Sequence, residues 1–471
     1  MPILPSQIPN PLLKVGHVPN KGRSFIASRA LAPGSILLKV LPYAAVPDTN
    51  HKTRVCAYCL TLNTPHAFIP CTSCNIAHYC SDTCKSRDWT SQHELECSLV
   101  HSLHHEDVLD VLKEDGGDYI LDFTWLLIRV LIRHCRELQG GMKQSTDSNH
   151  HMGTFADVWD MISNTESFPA ARLKQFARVA QVLATFTEAK LWPLLDGHQR
   201  AGFLPAVKVD NRIDLNDIVK ETAGSNGQKI GLVNQSSPPT ASLVASLREL
   251  VCKEECNSFG LYTYAFESGQ SPRQPYGLAL YPTVVYFNHS CQPAVGHVTK
   301  PHQSQNSHNN GSNNHSMPFA GSHAEMIFFN YAQLSEGDEA TISYVDVADE
   351  EAVVSNAGVG NRGDARRELL KGYFFFDCDC ERCEEDGLVN SKTGSVAAAT
   401  DEDNARTNNS AITVGHIVCG NKNGCRGFYI PKSLVVKDDS SSDWVCEACG
   451  YVYTHKDEYI SEKRVMKSDL E

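Results

Sequence analysis

Residues 56–97 read CAYCLTLNTPHAFIPCTSCNIAHYCSDTCKSRDWTSQHELEC, and their metal-binding side chains come in pairs: Cys56-x-x-Cys59, Cys71-x-x-Cys74, Cys80-x-x-x-Cys84 and His93-x-x-x-Cys97. Eight thiol or imidazole donors are the complement of two tetrahedral zinc ions. Pairs at this spacing chelate one ion from a single turn or helix start, and so short a segment has little else to hold it together. Alternating the pairs fixes more chain than filling them in order. Cys56, Cys59, Cys80 and Cys84 are therefore assigned to one ion, and Cys71, Cys74, His93 and Cys97 to the other. Four protein ligands at each ion leave no position for a catalytic water, so any chemistry lies elsewhere in the chain. The 18 cysteines occur without an apolar leader at Met1-Pro2-Ile3, which predicts reduced thiols and an intracellular setting, nucleus and/or cytoplasm.

The 471 residues have the length of roughly two to four domains. A net charge of −13 argues against bulk affinity for nucleic acid, and the absence of a long apolar span argues against a membrane. The basic cluster Arg362, Arg366, Arg367 and Lys371 reads as a solvated helix face. Residues 222–240, 300–323 and 392–409 lack apolar periodicity and read as excursions or linkers, and His302, His308, His315 and His323 as loop residues without a metal. Apolar spacing predicts helices over Ile120 to Leu138 and from Ala241 to about Cys252. Strands are predicted at Ser35 to Val40, Thr283 to Phe287, Met326 to Phe329 and Ala340 to Tyr344.

Three later pieces carry further chemistry. Tyr281-Pro282 precedes Asn288-His289-Ser290-Cys291-Gln292-Pro293; Glu336-Gly337-Asp338-Glu339 leads into Ile342-Ser343-Tyr344-Val345-Asp346; and Phe374-Phe375-Phe376 precedes Cys378-x-Cys380-x-x-Cys383. The early ladder, with Tyr79 and Trp89, resembles the MYND zinc finger, and these three pieces in this order resemble the SET domain of protein lysine methyltransferases. Together, over roughly residues 15 to 385, the chain resembles the SMYD subfamily. The resemblance implies an α+β fold: a β-rich SET domain split by a MYND zinc finger and a helical insert, with a post-SET zinc site. Past the last linker Cys419, Cys425, Cys446 and Cys449, with nearby glycines, look like a zinc ribbon. The expected units are residues 1–50 as the N-terminal part of the SET domain, 51–98 as the finger and 99–260 as the helical insert. Residues 261–350 follow as the catalytic core with a low-complexity insert at 300–324, then 351–388 as post-SET, 389–412 as linker and 413–471 as the C-terminal zinc-ribbon-like segment.

The resemblance implies S-adenosylmethionine as methyl donor, a protein lysine as acceptor, and a peptide or protein partner at the finger. It implies Tyr344 as the catalytic tyrosine, and Tyr281 and Phe374 as walls of the lysine channel. Lys21, Gly22, Arg23, Asn257, Asn288, His289 and Phe376 are the implied cofactor contacts, and Cys291 is the implied fourth ligand to Cys378, Cys380 and Cys383. Ser24 and Ala294 depart from the family pattern, which usually has glycine and asparagine there. Cys135, Cys252 and Cys256 are left over as core residues. A different class of reading is a non-catalytic adaptor that recruits partners through the finger.

Overall fold

The computed structural model describes residues 10–62, 67–104, 117–140, 152–207, 212–213, 240–263, 274–299, 324–345, 362–384, 428–434, 443–447 and 452–453. Predicted excursions 300–323 and 392–409, most of 222–240, and Cys419, Cys425 and Cys449 lie outside them.

Early and late strands interlock. The hairpin β1 (Leu13–Val18) and β2 (Gly22–Ala27) is followed by β3 (Ile36–Val40) and β4 (Ala44–Pro47). The predicted Ser35–Val40 strand is thus present, but its partner is β10 (Met326–Asn330), itself flanked by β9 (Val295–Thr299). Strand β4 pairs with β8 (Gln274–Leu280), which pairs with β7 (Ser258–Thr263). The finger and the helices are therefore one long excursion from a sheet core closed by distant segments.

The excursion begins with the short ribbon β5 (Ile69–Pro70) and β6 (His78–Tyr79), then α1 (Asp82–Asp88), a π turn (Trp89–His93) and α2 (Glu94–Leu103). Helix α3 (Tyr119–Leu138) runs through the middle, its apolar residues from Ile120 to Ile132 buried all round. Only a helix whose polar side chains find partners can be enclosed in this way. Asp122 accepts from the Thr49 amide (3.0 Å) and hydroxyl (2.6 Å), Arg129 donates to the carbonyls of Ala45 (3.0 Å) and Ala57 (2.6 Å), and Arg133 donates to that of Tyr43 (2.7 Å). One helix thereby anchors β4 and the first finger loop together. Against it pack α4 (Phe155–Trp159) and α5 (Ala170–Phe186); α6 (Gly197–Ala201) meets its end through Gln199, which donates to the Leu138 carbonyl (2.8 Å), and α7 (Ala241–Asn257), which packs on α5, runs past its predicted end at Cys252.

Two predicted strands are not strands. Residues 283–287 form successive turns after Pro282, with Val284 N–H on the Tyr281 carbonyl (3.2 Å) and Phe287 N–H on that of Val284 (3.1 Å). Proline restricts the residues around it and withholds a ladder donor, so the apolar run is buried as turns. Residues 340–344 make isolated pairings instead of a ladder. Ala340 N–H bonds the Phe25 carbonyl (2.8 Å), Ile342 N–H that of Asn288 (2.9 Å), and Ser290 N–H that of Ile342 (2.9 Å). The segment is threaded between others, and each neighbour offers it one or two bonds. Helix α8 (Arg362–Phe374) follows, and β11 (Tyr429–Pro431), β12 (Trp444–Cys446) and β13 (Val452–Tyr453) form a terminal antiparallel sheet.

Candidate functional site

Among the described residues three cysteine-rich clusters form, each with its four ligand atoms within 4.8 Å of one another: Cys56, Cys59, Cys80, Cys84; Cys71, Cys74, His93, Cys97; and Cys291, Cys378, Cys380, Cys383. A tetrahedron with zinc–sulfur bonds of about 2.3 Å has sulfur–sulfur edges of about 3.8 Å. The edges here are 3.6 Å for Cys59–Cys80, 3.5 Å for Cys80–Cys84, 3.8 Å for Cys71–Cys97, 3.9 Å for Cys291–Cys378 and 3.5 Å for Cys291–Cys383. These separations exclude disulfides and fit zinc. The alternating pairing of the finger is the one expected. Ser81 caps α1 by accepting from the Cys84 amide (3.2 Å), fixing that thiol at the helix start.

The His93 ring is oriented from behind. Its Nδ1 meets Glu96 Oε1 (3.1 Å) while Nε2 faces Cys74 Sγ (3.5 Å). Glu96 is fully buried and receives Arg129 through Nε (3.2 Å to each oxygen) and a terminal nitrogen (2.8 Å). Burial pushes the Glu96 carboxyl upward, but Arg129 outweighs it and holds the group at about 2. Asp88, also buried, accepts from Tyr79 (2.9 Å), Gln92 (2.7 Å) and Arg129 (3.4 Å). Asp88, His93 and Glu96 also cluster closely enough for a metal. Arg129 already engages both carboxylates and His93 belongs to the Cys71, Cys74, Cys97 group, so the trio braces the finger's second cluster.

The third cluster corrects the reading of the basic cluster as a solvated face. Arg366 is buried and directs a guanidinium nitrogen to Cys383 Sγ (3.9 Å), while Arg367 donates to the carbonyls of Cys378 (3.2 Å) and Cys383 (2.5 Å). Arg382 donates to the Cys291 carbonyl (3.1 Å). Four thiolates outweigh a divalent cation, and guanidinium groups are the counter-charge that such a cluster attracts. Lys371 alone among the described side chains of that run stays largely exposed, paired loosely with Asp377 (3.5 Å).

Beside this cluster lies Tyr344. Its amide donates to His289 Nδ1 (3.0 Å), and its hydroxyl donates to the Phe287 carbonyl (2.9 Å). Burial lowers His289 to about 4, so its ring is neutral, and with Nδ1 accepting, the proton sits on Nε2, 3.2 Å from Cys291 Sγ. Burial, with the Glu339 carboxylate, raises the Tyr344 hydroxyl above its ordinary value, so it remains protonated. Phe374 lies 5.0 Å and Phe376 6.3 Å from the Tyr344 ring, centroid to centroid. Between them Phe375 adopts a left-handed φ of 63° and turns the other way, edge-on to Phe168 at 4.7 Å. The reversal lets two of three successive phenylalanines face the tyrosine.

Tyr344, Phe374 and Asn257 line one cavity of about 370 Å³, with Phe287, Ile342, Val345 and others. Tyr281 is not among its lining residues: it is fully buried, donates its hydroxyl to the Ala324 carbonyl and meets Phe259 edge-on. Cys256, expected in the core, lines the cavity, whereas Cys135 and Cys252 are fully buried as expected.

Of the remaining expected residues, Lys21 and Asn288 gather on Glu339. Ser24 donates to Oε1 (2.7 Å), Asn288 Nδ2 to the same oxygen (2.9 Å), and Lys21 pairs with Oε2 (3.3 Å). Ser24, standing where the family pattern has glycine, is buried and bonded. Gly22 has a φ of 78°, which the tight turn out of β1 requires. Arg23 does not reach Glu339. It pairs with Asp160 and lies 5.1 Å above the Tyr286 ring. Asn257 donates to the carbonyls of Ile162 (2.8 Å) and Lys253 (2.6 Å). Segment 160–162 is thus held between Arg23 and Asn257. Nothing in its sequence singled it out, and Glu339 was visible only as part of an acidic motif.

A MYND finger family model matches residues 56–97. A SET and MYND domain-containing protein of Dictyostelium discoideum is 25% identical over 386 residues, 78% of this chain and 80% of the relative. The histone-lysine N-methyltransferase ASHR1 of Arabidopsis thaliana is 21% identical over 93% of this chain and 64% of its own length. The histone-lysine N-methyltransferase SMYD3 of Mus musculus is 23% identical over 78% of this chain and 60% of its own. The chain therefore spans about three-fifths of the length of those two methyltransferases.

Proposed function

The chain belongs to the SET and MYND, SMYD-like, family, and on that premise we propose that it is an S-adenosylmethionine-dependent protein-lysine N-methyltransferase. The observation that carries the proposal is the convergence of Tyr344, Phe374 and Asn257 on one cavity beside the Cys291 cluster. The residues fit the donor: Lys21 and Asn288 are held together around Glu339, and His289 and Phe376 stand at 5.7 Å, ring to ring. Those residues with Asn257 and Arg23 would hold S-adenosylmethionine. Bound there, it supplies a sulfonium methyl, which an amine lone pair takes as the sulfur–carbon bond breaks.

A lysine amine has an ordinary pKa near about 10.4, so the free base must be favoured. The described lining of the cavity carries no Asp, Glu, Lys or Arg, and an uncharged, partly aromatic enclosure penalises the ammonium form. The Tyr344 proton is committed to the Phe287 carbonyl, which leaves the hydroxyl lone pairs to accept from the incoming amine and orient it. Cys291, Cys378, Cys380 and Cys383 would hold a zinc ion that ties the segment bearing Phe374 and Phe376 to the threaded loop. The His289 imidazole relays that tie to the Tyr344 backbone. The finger, held rigidly by Arg129, presents its outer surface to a protein partner, with Trp89 exposed.

Tyr344→Phe tests the assignment. Methyl transfer from labelled cofactor to a proteome extract should fall at least about a hundredfold, while calorimetry gives cofactor affinity within about twofold of the parent. An unchanged rate and methylation degree would remove Tyr344 from the role. Absence of binding heat in the parent protein would favour the adaptor.

A further inference from the structure

The cavity has a second group of aromatic walls that the methyl-transfer reading does not use. Phe259, Tyr262, His297, Tyr331 and Phe428 line it along with Tyr344 and Phe374. Two glycines create this arrangement. A Cβ on Gly260 would stand 2.5 Å from the Tyr262 ring, and one on Gly296 would stand 2.5 Å from the Tyr331 ring. Each tyrosine lies across a position where any larger residue would displace it.

Phe428 comes from the C-terminal sheet, more than 80 residues beyond Tyr344 in sequence. That sheet is docked on the outside of the β3–β10–β9 sheet. Tyr429, Ile430, Trp444, Val445 and Cys446 bury against Val298, Ile327 and Phe329. Trp444 stacks on Tyr331 at 5.8 Å between ring centroids, so one terminal residue backs a cavity tyrosine while another enters the lining.

We infer that the terminal sheet is a specificity wall, and that Phe428 and Tyr331, with Tyr262 and His297, form a subsite for an apolar or aromatic residue adjacent to the methylated lysine. The inference rests on the methyltransferase reading above and extends it to the class of substrate. Its two supports are the continuity of these rings with the Tyr344 cavity and the lack of a carboxylate in the described lining. A groove that selects runs of Arg and Lys needs acidic groups to pair them, whereas aromatic walls reward apolar area removed from water.

The test uses the full chain, labelled S-adenosylmethionine and an array of peptides with one central lysine, each flanking position carrying every residue type in turn. The parent should favour Phe, Leu, Met or Tyr over Arg, Lys and Glu at one flanking position. Phe428→Ala should reduce kcat/KM for those apolar-flanked peptides about tenfold, the discrimination that one packed apolar contact supplies. Phe428→Leu should recover part of it, and Gly296→Ala, which displaces Tyr331, should mimic the loss. Cofactor-binding heat should be unchanged in all three. A preference for basic flanks, a profile that Phe428→Ala leaves intact, or an array on which cofactor binds but no peptide is methylated would overturn the inference. If the parent neither binds cofactor nor transfers methyl, the methyltransferase reading itself has failed.

Discussion

Replacing Arg129 by Met removes a single side chain from the junction of finger, helix and sheet. The guanidinium contacts both oxygens of Glu96, one oxygen of Asp88 and the carbonyls of Ala45 and Ala57, all at positions closed to solvent. Without it Asp88 keeps Tyr79 and Gln92 as donors, but Glu96 keeps only His93. Breaking a buried pair by removing one partner costs roughly 3–5 kcal/mol, and each orphaned carbonyl adds about 1 kcal/mol. The sum, about 5–7 kcal/mol, is comparable to the whole stability of a modest domain. It would lower the melting temperature by about 10–28 °C at the response typical of a 150–250-residue unit. Because Glu96 also orients His93, zinc should leave the finger faster. Thermal melting, paired with metal release into a chromogenic chelator, reads both effects. The double variant Arg129→Met/Glu96→Gln should recover part of the loss, since no carboxylate is then stranded at that position. A single variant that melts within about 2 °C of the parent and releases zinc at the same rate would refute the bracing role.

Glu339→Gln takes away the charge that gathers Ser24, Asn288 and Lys21. A charge-assisted hydrogen bond is worth about 1.5–3 kcal/mol, so S-adenosylmethionine affinity by calorimetry should fall roughly tenfold or more, and unchanged affinity would dissociate Glu339 from the cofactor loop. Cys380→Ser should reduce bound zinc by one ion per chain and abolish methyl transfer; full turnover with one ion fewer would refute the closure role of the third cluster. Asp122 is held near about 7 by burial, against its two Thr49 hydrogen bonds and from an ordinary 3.8. Its folded pKa lies above its unfolded one, so the fold favours the protonated acid and loses stability as pH rises from 3.8 to 7. Relative to Asp122→Asn, the parent should lose about 2 kcal/mol between about pH 5.5 and pH 8 in urea titrations, and parallel curves would show that Asp122 ionises freely.

The sequence by itself determined the metal clusters of the finger. Ligands two to four residues apart are neighbours whatever the rest of the chain does, and the alternating assignment needed only the order of the pairs. It also placed helix α3, since a 20-residue apolar pattern free of Gly and Pro has few other ways to satisfy its backbone. Tertiary structure decided the rest. Residues 283–287 and 340–344 have strand-like composition, yet the first run closes into local turns after Pro282, and the second finds its partners at Phe25, Asn288 and Val295, dozens to hundreds of residues away, which impose a threaded path. Arg366 and Arg367 looked solvated because the Cys378–Cys383 segment they hold is folded back on them in a cluster that Cys291 completes from a distant loop, which local spacing does not reveal. Glu339 became a hub, Asp160 and Ile162 became partners of Arg23 and Asn257, and Phe428 became a lining residue only when loops from distant parts of the chain met. Short-range chelation and helical periodicity are properties of neighbouring residues. Cavity walls and buried charge pairs belong to surfaces that the folded chain alone brings together.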